Sequence, residues 1–352
     1  MKNKDTYVRS CKISLKFITE KKRNKIKNLI KEYRRVVNLY IKTIWLEGGA
    51  LNAKTLERIS KTTLSQRYKS SALNQALSIV TSTKKALKAT KKFSHKIPHF
   101  SGAPTLDAKF VAIENGQHSF DLNVRLSTLQ KGKRIDLPCK KTEVLNKWLA
   151  KPTSRLIQGC KLFEDKIILF VEVKEENYKT TGVDLGIDLG VNKLITTSEG
   201  QFLGKDFKKI RDKISRKKSG SKSKQKAFAE RENYFNKIIN SLPWQRMKTL
   251  VVEDLTNLKK GKKKNRNKTF RKALMHWTYA RLISRIRHKA QENRVRLVFV
   301  DPQNTSRTCP VCQNVNELNR NNEEFLCTNC GHRSDADLVG ATNVLLRFQS
   351  GA

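Results

Sequence analysis

The sequence predicts a multidomain α/β and α+β protein, in which an α/β half carrying an inserted cysteine module is preceded by a small β domain and a helical domain. Three observations predict it. Apolar residues recur at three- and four-residue steps from Glu20 to Trp45, and short alternating runs crowd residues 109–178. From Thr181 the chain reads strand, strand, strand, helix, strand, helix, strand, then cysteines and a last helix. The expected divisions are 1–18 and 96–180 for the β domain, 19–95 for the helical domain, and 181–352 for the α/β domain with its cysteine module at 305–333.

Tyr7 to Phe17 alternates as a strand does. In the helix that follows, Ile26, Leu29, Ile30, Tyr33, Val36, Val37, Tyr40, Ile41 and Ile44 form one stripe with Lys and Arg opposite. A second helix is expected from Ser70 to Lys92, with Leu73, Leu77, Val80 and Leu87 inward, until Pro98 and the loop after it break the pattern. The runs FVAIE, SFDLNVRL and IILFVEV, separated by Gly, Pro, Asn and Asp, then read as an antiparallel β domain that the first strand can join.

Beyond Thr181 the strands are GVDLGIDL, KLITTS, QFLG, TLVVEDL and VRLVFV, with helices at about Lys208–Leu242, Arg271–Asn293 and Asp335–Arg347. Three opening strands followed by alternation with helices is the order of an RNase H-like fold. In the first strand Val183, Leu185, Ile187 and Leu189 alternate with polar positions, which puts Asp184 and Asp188 on one face. A turn aspartate is the alternative reading of Asp188. The run Thr249–Val252 delivers Glu253 at the end of a core strand. If the two strands are neighbours, their carboxylates repel unless a cation lies between them, and Mg²⁺, a hard ion taking oxygen ligands, suits that place. A pair of such ions about 4 Å apart can clamp both oxygens of a phosphodiester exchange. Asp335 and Asp337 open the last helix, where Ser334 with Asp337 also satisfies a capping arrangement.

With 74 Lys and Arg against 31 Asp and Glu, the net charge is +43 over 352 residues, which calls for a polyanionic partner. A ribosomal-type RNA-binding protein would share this charge. Lysine-rich segments at 216–226 and 259–268, with Lys217, Lys218, Lys262, Lys263, Lys264 and Arg266, are candidate phosphate contacts. A solvated face or a nuclear targeting run fits the same spacing. No apolar run of about 18 residues reads as a membrane span, and the first residues lack a secretory pattern, so the expected compartment is the cytoplasm. Cys309 and Cys312, then Cys327 and Cys330, form two C-x-x-C knuckles fitted to one structural Zn²⁺, with no open coordination position. Cys11, Cys139 and Cys160 stand apart as reduced, small hydrophobic residues.

These motifs together carry a family likeness. G-I-D-L-G-V-N-K around Asp188, V-V-E-D-L around Glu253, and the stretch from Thr305 through both knuckles to Asn343 resemble, in order and wording, the RuvC nuclease half of the TnpB family and of related compact type V CRISPR effectors. The upstream half is similar only in architecture to the family's β wedge and helical recognition domains. The resemblance implies an RNA-guided, nucleoid-associated DNA endonuclease whose catalytic acids Asp188, Glu253 and Asp337 bind Mg²⁺. It also implies a guide RNA encoded near the gene and cutting of double-stranded DNA beside a short adjacent motif. A compact CRISPR effector is the rival reading, and the modest length favours the transposon form. A guided DNA-binding repressor from the same family would normally lack part of the acidic triad. The chain departs from the family at Gln313, where glycine is usual after the first knuckle, and at Val339 and Gly340, where Asn and Ala are usual.

Overall fold

The computed structural model describes residues 6–47, 61–90, 96–130, 132–174, 176–255 and 279–351. The chain forms two compact units, residues 1–175 and 176–352, a few residues before the division expected from sequence.

In the first unit, β1 (Thr6–Ser14) leads into α1 (Glu20–Glu47) and α2 (Gln66–Thr90). Every residue of the predicted α1 stripe is buried. The second helix buries Val80 of the expected residues and packs Leu73, partly buried, against the core. Tyr68, Ala72, Ala76 and Val80 are buried, whereas Leu77 is 43% exposed. The small alanines let α2 approach α1, and Tyr33 meets Tyr68 edge-on with ring centroids 6.4 Å apart. The expected end of this helix at Lys92 lies outside the described residues.

Two antiparallel sheets complete this unit. The strands are β2 (Thr105–Asp107), β3 (Val111–Asn115), β4 (Leu122–Ser127), β5 (Arg134–Cys139), β6 (Ser154–Leu162) and β7 (Lys166–Lys174), with α3 (Glu143–Leu149) between β5 and β6. One sheet has the order β1-β7-β6-β2 and the other β3-β4-β5. A bulge in β6 between Ile157 and Cys160 frees Gln158, whose side chain accepts from the Ile113 N–H at 2.7 Å and donates to the Ile113 carbonyl at 3.1 Å. An amide thus acts as a further rung for the edge strand β3. Cys11, Cys139 and Cys160 are fully buried free thiols, and burial pushes Cys139 and Cys160 up to about 12.

The second unit is built on β8 (Val183–Asp188), β9 (Ile195–Thr197), β10 (Phe202–Leu203), β11 (Met247–Glu253) and β12 (Arg296–Val300), in the order β10-β9-β8-β11-β12. β9 runs antiparallel to its neighbours, whereas β11 is parallel to both β8 and β12. One sheet face packs on α4 (Phe207–Ser215), α5 (Lys222–Asn240) and α6 (Tyr279–Glu292), through Leu185, Ile187, Leu250 and Val252 with Phe207, Phe235, Ile239 and Ile286. The predicted single helix Lys208–Leu242 is therefore two helices. Gly220, at φ +81°, turns the chain, and Ser221 caps α5 by accepting from the Lys224 N–H. The basic segment 216–226 is accordingly part turn and part first helical turn. The first residues of the predicted helix 271–293 lie outside the described residues.

The final helix, α7 (Ala336–Gln349), crosses the other sheet face. A methyl group built on Gly186 would stand 2.5 Å from the Ala341 carbonyl oxygen, so only glycine lets α7 lie so close to β8. Before α7, the short strands β13 (Arg320–Asn321), β14 (Glu324–Leu326) and β15 (Arg333–Asp335) form the sheet of the cysteine module. Among the described residues no helix is long and apolar enough to cross a membrane.

Gly186→Ala is expected to destabilise the chain by about 1–3 kcal/mol, because the obstructing group is backbone and cannot rotate away. Chemical denaturation measures this; an unchanged midpoint would show that α7 yields freely.

Candidate functional site

Asp188 and Glu253 end two parallel strands in register, Ile187 beside Val252, so both acids emerge at the same carboxyl edge of the sheet. Asp337 arrives from above, in the first turn of α7. Three separate segments thus bring the predicted acids to one place. Gly340 lies beside Asp188, whose carboxylate stands 3.4 Å from where a Cβ would project, an ordinary van der Waals contact. The usual alanine at that position would touch it.

Burial, then the neighbouring Glu253 and Asp337 charges, hold the Asp188 carboxyl well above its ordinary range, against a weaker pull from Arg320. Burial also raises Glu253, although the Thr305 hydrogen bond, Arg347 and Arg320 oppose the rise. Both acids resist ionisation unless positive charge is brought to them. A hard divalent cation fits this donor set of carboxylate oxygens. Asp337 already meets two cations, Arg320 at 3.3 Å and Lys193 at 3.4 Å. Among the described residues, these carboxylates as placed do not form a group able to hold an ion in the way the cysteines do.

Asp335 does other work. Its carboxylate accepts from the Asp337 and Leu338 N–H groups, making Asp335 the N-cap of α7 in place of the Ser334 arrangement that the spacing allowed. Its other oxygen pairs with Lys193 at 2.5 Å. Burial disfavours the Lys193 charge, but the Asp335 hydrogen bond and the Asp337, Asp335 and Glu323 carboxylates outweigh that and raise its pKa. Asp184 shares the Asp188 face as expected, yet it lies farther back along β8, beside Lys248 at 3.4 Å.

The four paired cysteines form the complete cluster that the acids do not, with all sulfurs within 4.8 Å of one another. Cys309 and Cys330 are 3.6 Å apart, and Cys312 and Cys327 3.5 Å. Four thiolates at tetrahedral distances of about 2.3 Å from one ion would stand about 3.8 Å apart, so the cluster can hold a metal such as zinc. The Asn314 backbone N–H and the Asn329 side chain lower Cys312 to about 6. At Cys330 a backbone N–H at His332 works against the neighbouring sulfurs, which prevail and push it up to about 12. Gln313 stands at φ +60°, which explains the usual glycine there.

Lys217 and Lys218 are exposed in the turn between α4 and α5, whereas Lys262, Lys263, Lys264 and Arg266 lie outside the described residues. Sequence reasoning passed over Lys193, Arg320, Thr305 and Tyr279. Lys193 and Thr305 sat inside the quoted motifs, but Arg320 and Tyr279 gave no local signal.

Comparison with known proteins fits this architecture. A family model described as the Cas12f1-like TNB domain matches residues 279–344. The TnpB-like protein MJ0751 of Methanocaldococcus jannaschii is 27% identical over 195 residues, 52% of this chain and 69% of that protein. The CRISPR-associated endodeoxyribonuclease Cas12f1 of Sulfoacidibacillus thermotolerans is 33% identical over 99 residues, 28% of this chain but only 22% of the larger protein. Among solved structures, Cas12f1 in a complex with sgRNA and target DNA matches with a TM-score of 0.51 at 16% identity, covering 94% of this chain and 82% of the other. CasPhi-2 bound to crRNA gives the same TM-score at 9% identity, covering 97% and 98%. The structures share the mixed α/β fold. Together these matches make the chain similar to TnpB-like and Cas12f1 proteins.

Purified chain is expected to carry about one zinc, lost in Cys309→Ser together with thermal stability. Gln313→Gly should stabilise the cysteine module by about 1 kcal/mol, read as a higher chelator concentration at half-loss of metal. An unchanged chelator midpoint would mean the surrounding knuckle absorbs the strain.

Proposed function

We propose that the chain is an RNA-guided DNA endonuclease of the RuvC kind, in which Asp188, Glu253 and Asp337 hold the catalytic metal. The observation carrying this reading is the convergence of three acids from β8, β11 and α7, two of them with their pKa raised by burial. The sheet order β10-β9-β8-β11-β12 is that expected of an RNase H-like nuclease and supports it. So do the names of the relatives, which include an endodeoxyribonuclease, and the net charge of +43. Mg²⁺ bound there, in one or two ions, would supply charge neutralisation at the phosphodiester and a water made nucleophilic near neutral pH. The residues perform the rest. Asp188 and Glu253 present oxygens from rigid strand ends, Asp337 adds a third from the helix, and Arg320 and Lys193 orient it. The exposed basic surface would hold guide RNA and target DNA, encoded near the gene and chosen by base pairing respectively, beside a short adjacent motif. The cysteine module would keep a closed, structural zinc.

Asp188→Ala is expected to occupy a guide-matched duplex normally while its cleavage falls by orders of magnitude. Paired filter-binding and cleavage measurements at one salt concentration check this, with Asp184→Ala as control. Retained cutting by Asp188→Ala would move the chemistry elsewhere, and loss confined to Asp184→Ala would move it to the neighbouring acid. RNA that copurifies with the chain should map beside its gene. Asp337→Ala should abolish cleavage with little change in melting. Asp335→Ala should instead cost about 1 kcal/mol of stability through the lost cap, with cleavage reduced less. Equal or reversed loss of cleavage would overturn the assignment of Asp337.

A further inference from the structure

We propose that Thr305 is the positioning residue for Glu253, clamped by Asn343, so that the segment leading into the cysteine module aims the second acid. The inference rests on the reading of Glu253 as a metal ligand. Glutamate has three rotatable side-chain bonds, and a strand end fixes none of them. The backbone of Glu253 is held separately, because the Tyr279 hydroxyl donates to its carbonyl at 2.6 Å and accepts from the Leu255 N–H at 3.1 Å. The side chain needs its own constraint.

Thr305 supplies it. Its hydroxyl donates to Oε1 of Glu253 and also lies 3.2 Å from the Pro302 carbonyl. A hydroxyl has one proton, and an ionised carboxylate is the stronger acceptor. One hydrogen bond leaves lone pairs on the carboxylate for a cation. Thr305 is only 3% exposed although it stands in an irregular segment, so something must hold it. Asn343, buried in α7, donates to the carbonyls of both Thr305 and Thr308 at 2.7 Å. The Arg347 guanidinium, one turn further along the same helix, donates to the Asp301 and Gln303 carbonyls. Residues 301–308 are thus fastened to α7 at four carbonyls, and from this segment Thr305 extends its hydroxyl to Glu253. The helix that delivers Asp337 thereby also sets the orientation of Glu253.

The test compares Thr305→Val, which keeps the shape and removes the donor, with Thr305→Ser, which keeps the donor. Mn²⁺ binding to the full chain is followed by electron paramagnetic resonance, cleavage is measured in parallel, and Glu253→Gln serves as reference. Thr305→Val should weaken Mn²⁺ binding and slow cleavage by roughly 10–100-fold, while Thr305→Ser stays within about 3-fold of the parent chain. Parental Mn²⁺ affinity in Thr305→Val, alongside its loss in Glu253→Gln, overturns the positioning role. Failure of Thr305→Ser to rescue also overturns it, since packing and not the hydroxyl would then matter. Unaltered Mn²⁺ binding and cleavage in Glu253→Gln would instead sink the metal-ligand reading itself.

Discussion

The close approach of α7 to β8 is the constraint on which the second unit depends. One glycine makes it: Gly186 on the strand removes the side chain that would strike the Ala341 backbone, while Gly340 on the helix lies beside the Asp188 carboxylate. From that contact the rest follows along one helix. Asp337 is set above the strand ends, Asn343 and Arg347 grip the chain at 301–308, and Val344 enters a small core with Val251 and Val300. Residues that are distant in sequence are held in one arrangement by a single rigid element.

The electrostatics of this arrangement are unfavourable by themselves. Taking two carboxyl groups out of water and placing them side by side costs free energy that protonation or a cation must relieve. Lys193 and Arg320 pair directly with Asp337, and the pull of Arg320 on Asp188 and Glu253 is too weak to offset burial; each cation is fixed from a different direction. Lys193 extends from the loop after β8, which Arg211 holds by donating to the Val191 carbonyl at 2.9 Å. Arg320 belongs to the cysteine module. The protein therefore spends packing energy to maintain a charge deficit at the ends of β8 and β11.

Much of this was legible in the sequence because strong physical signals coincide with it. Apolar runs that end on an acid mark Asp188 and Glu253, and paired C-x-x-C spacing has few other uses. What stayed hidden depended on weak or conflicting signals. Ala72 and Ala76 carry little hydrophobic signal beside Leu77, so the buried face of α2 was only partly anticipated. No apolar residue stands between Ile214 and Ala227, so periodicity is silent across 216–221, where one Gly-Ser pair starts a new helix. β5 contains Pro138 and β6 contains a bulge at Gln158, features that argue against strands unless the partners are known. Asp335 and Asp337 are the same residue type two positions apart; the resemblance pointed to Asp337, and the geometry of the N–H groups identifies Asp335 as the cap.

The module between residues 309 and 334 is fastened at both its ends to the same helix and core. Its interior is nevertheless tied to the acids, because Arg320 reaches Asp337 at 3.3 Å and Glu323 meets Lys193 at 3.5 Å. A change of length between the two knuckles would therefore be felt at Asp337, since the chain that joins the cysteine pairs also carries the cation beside that carboxylate.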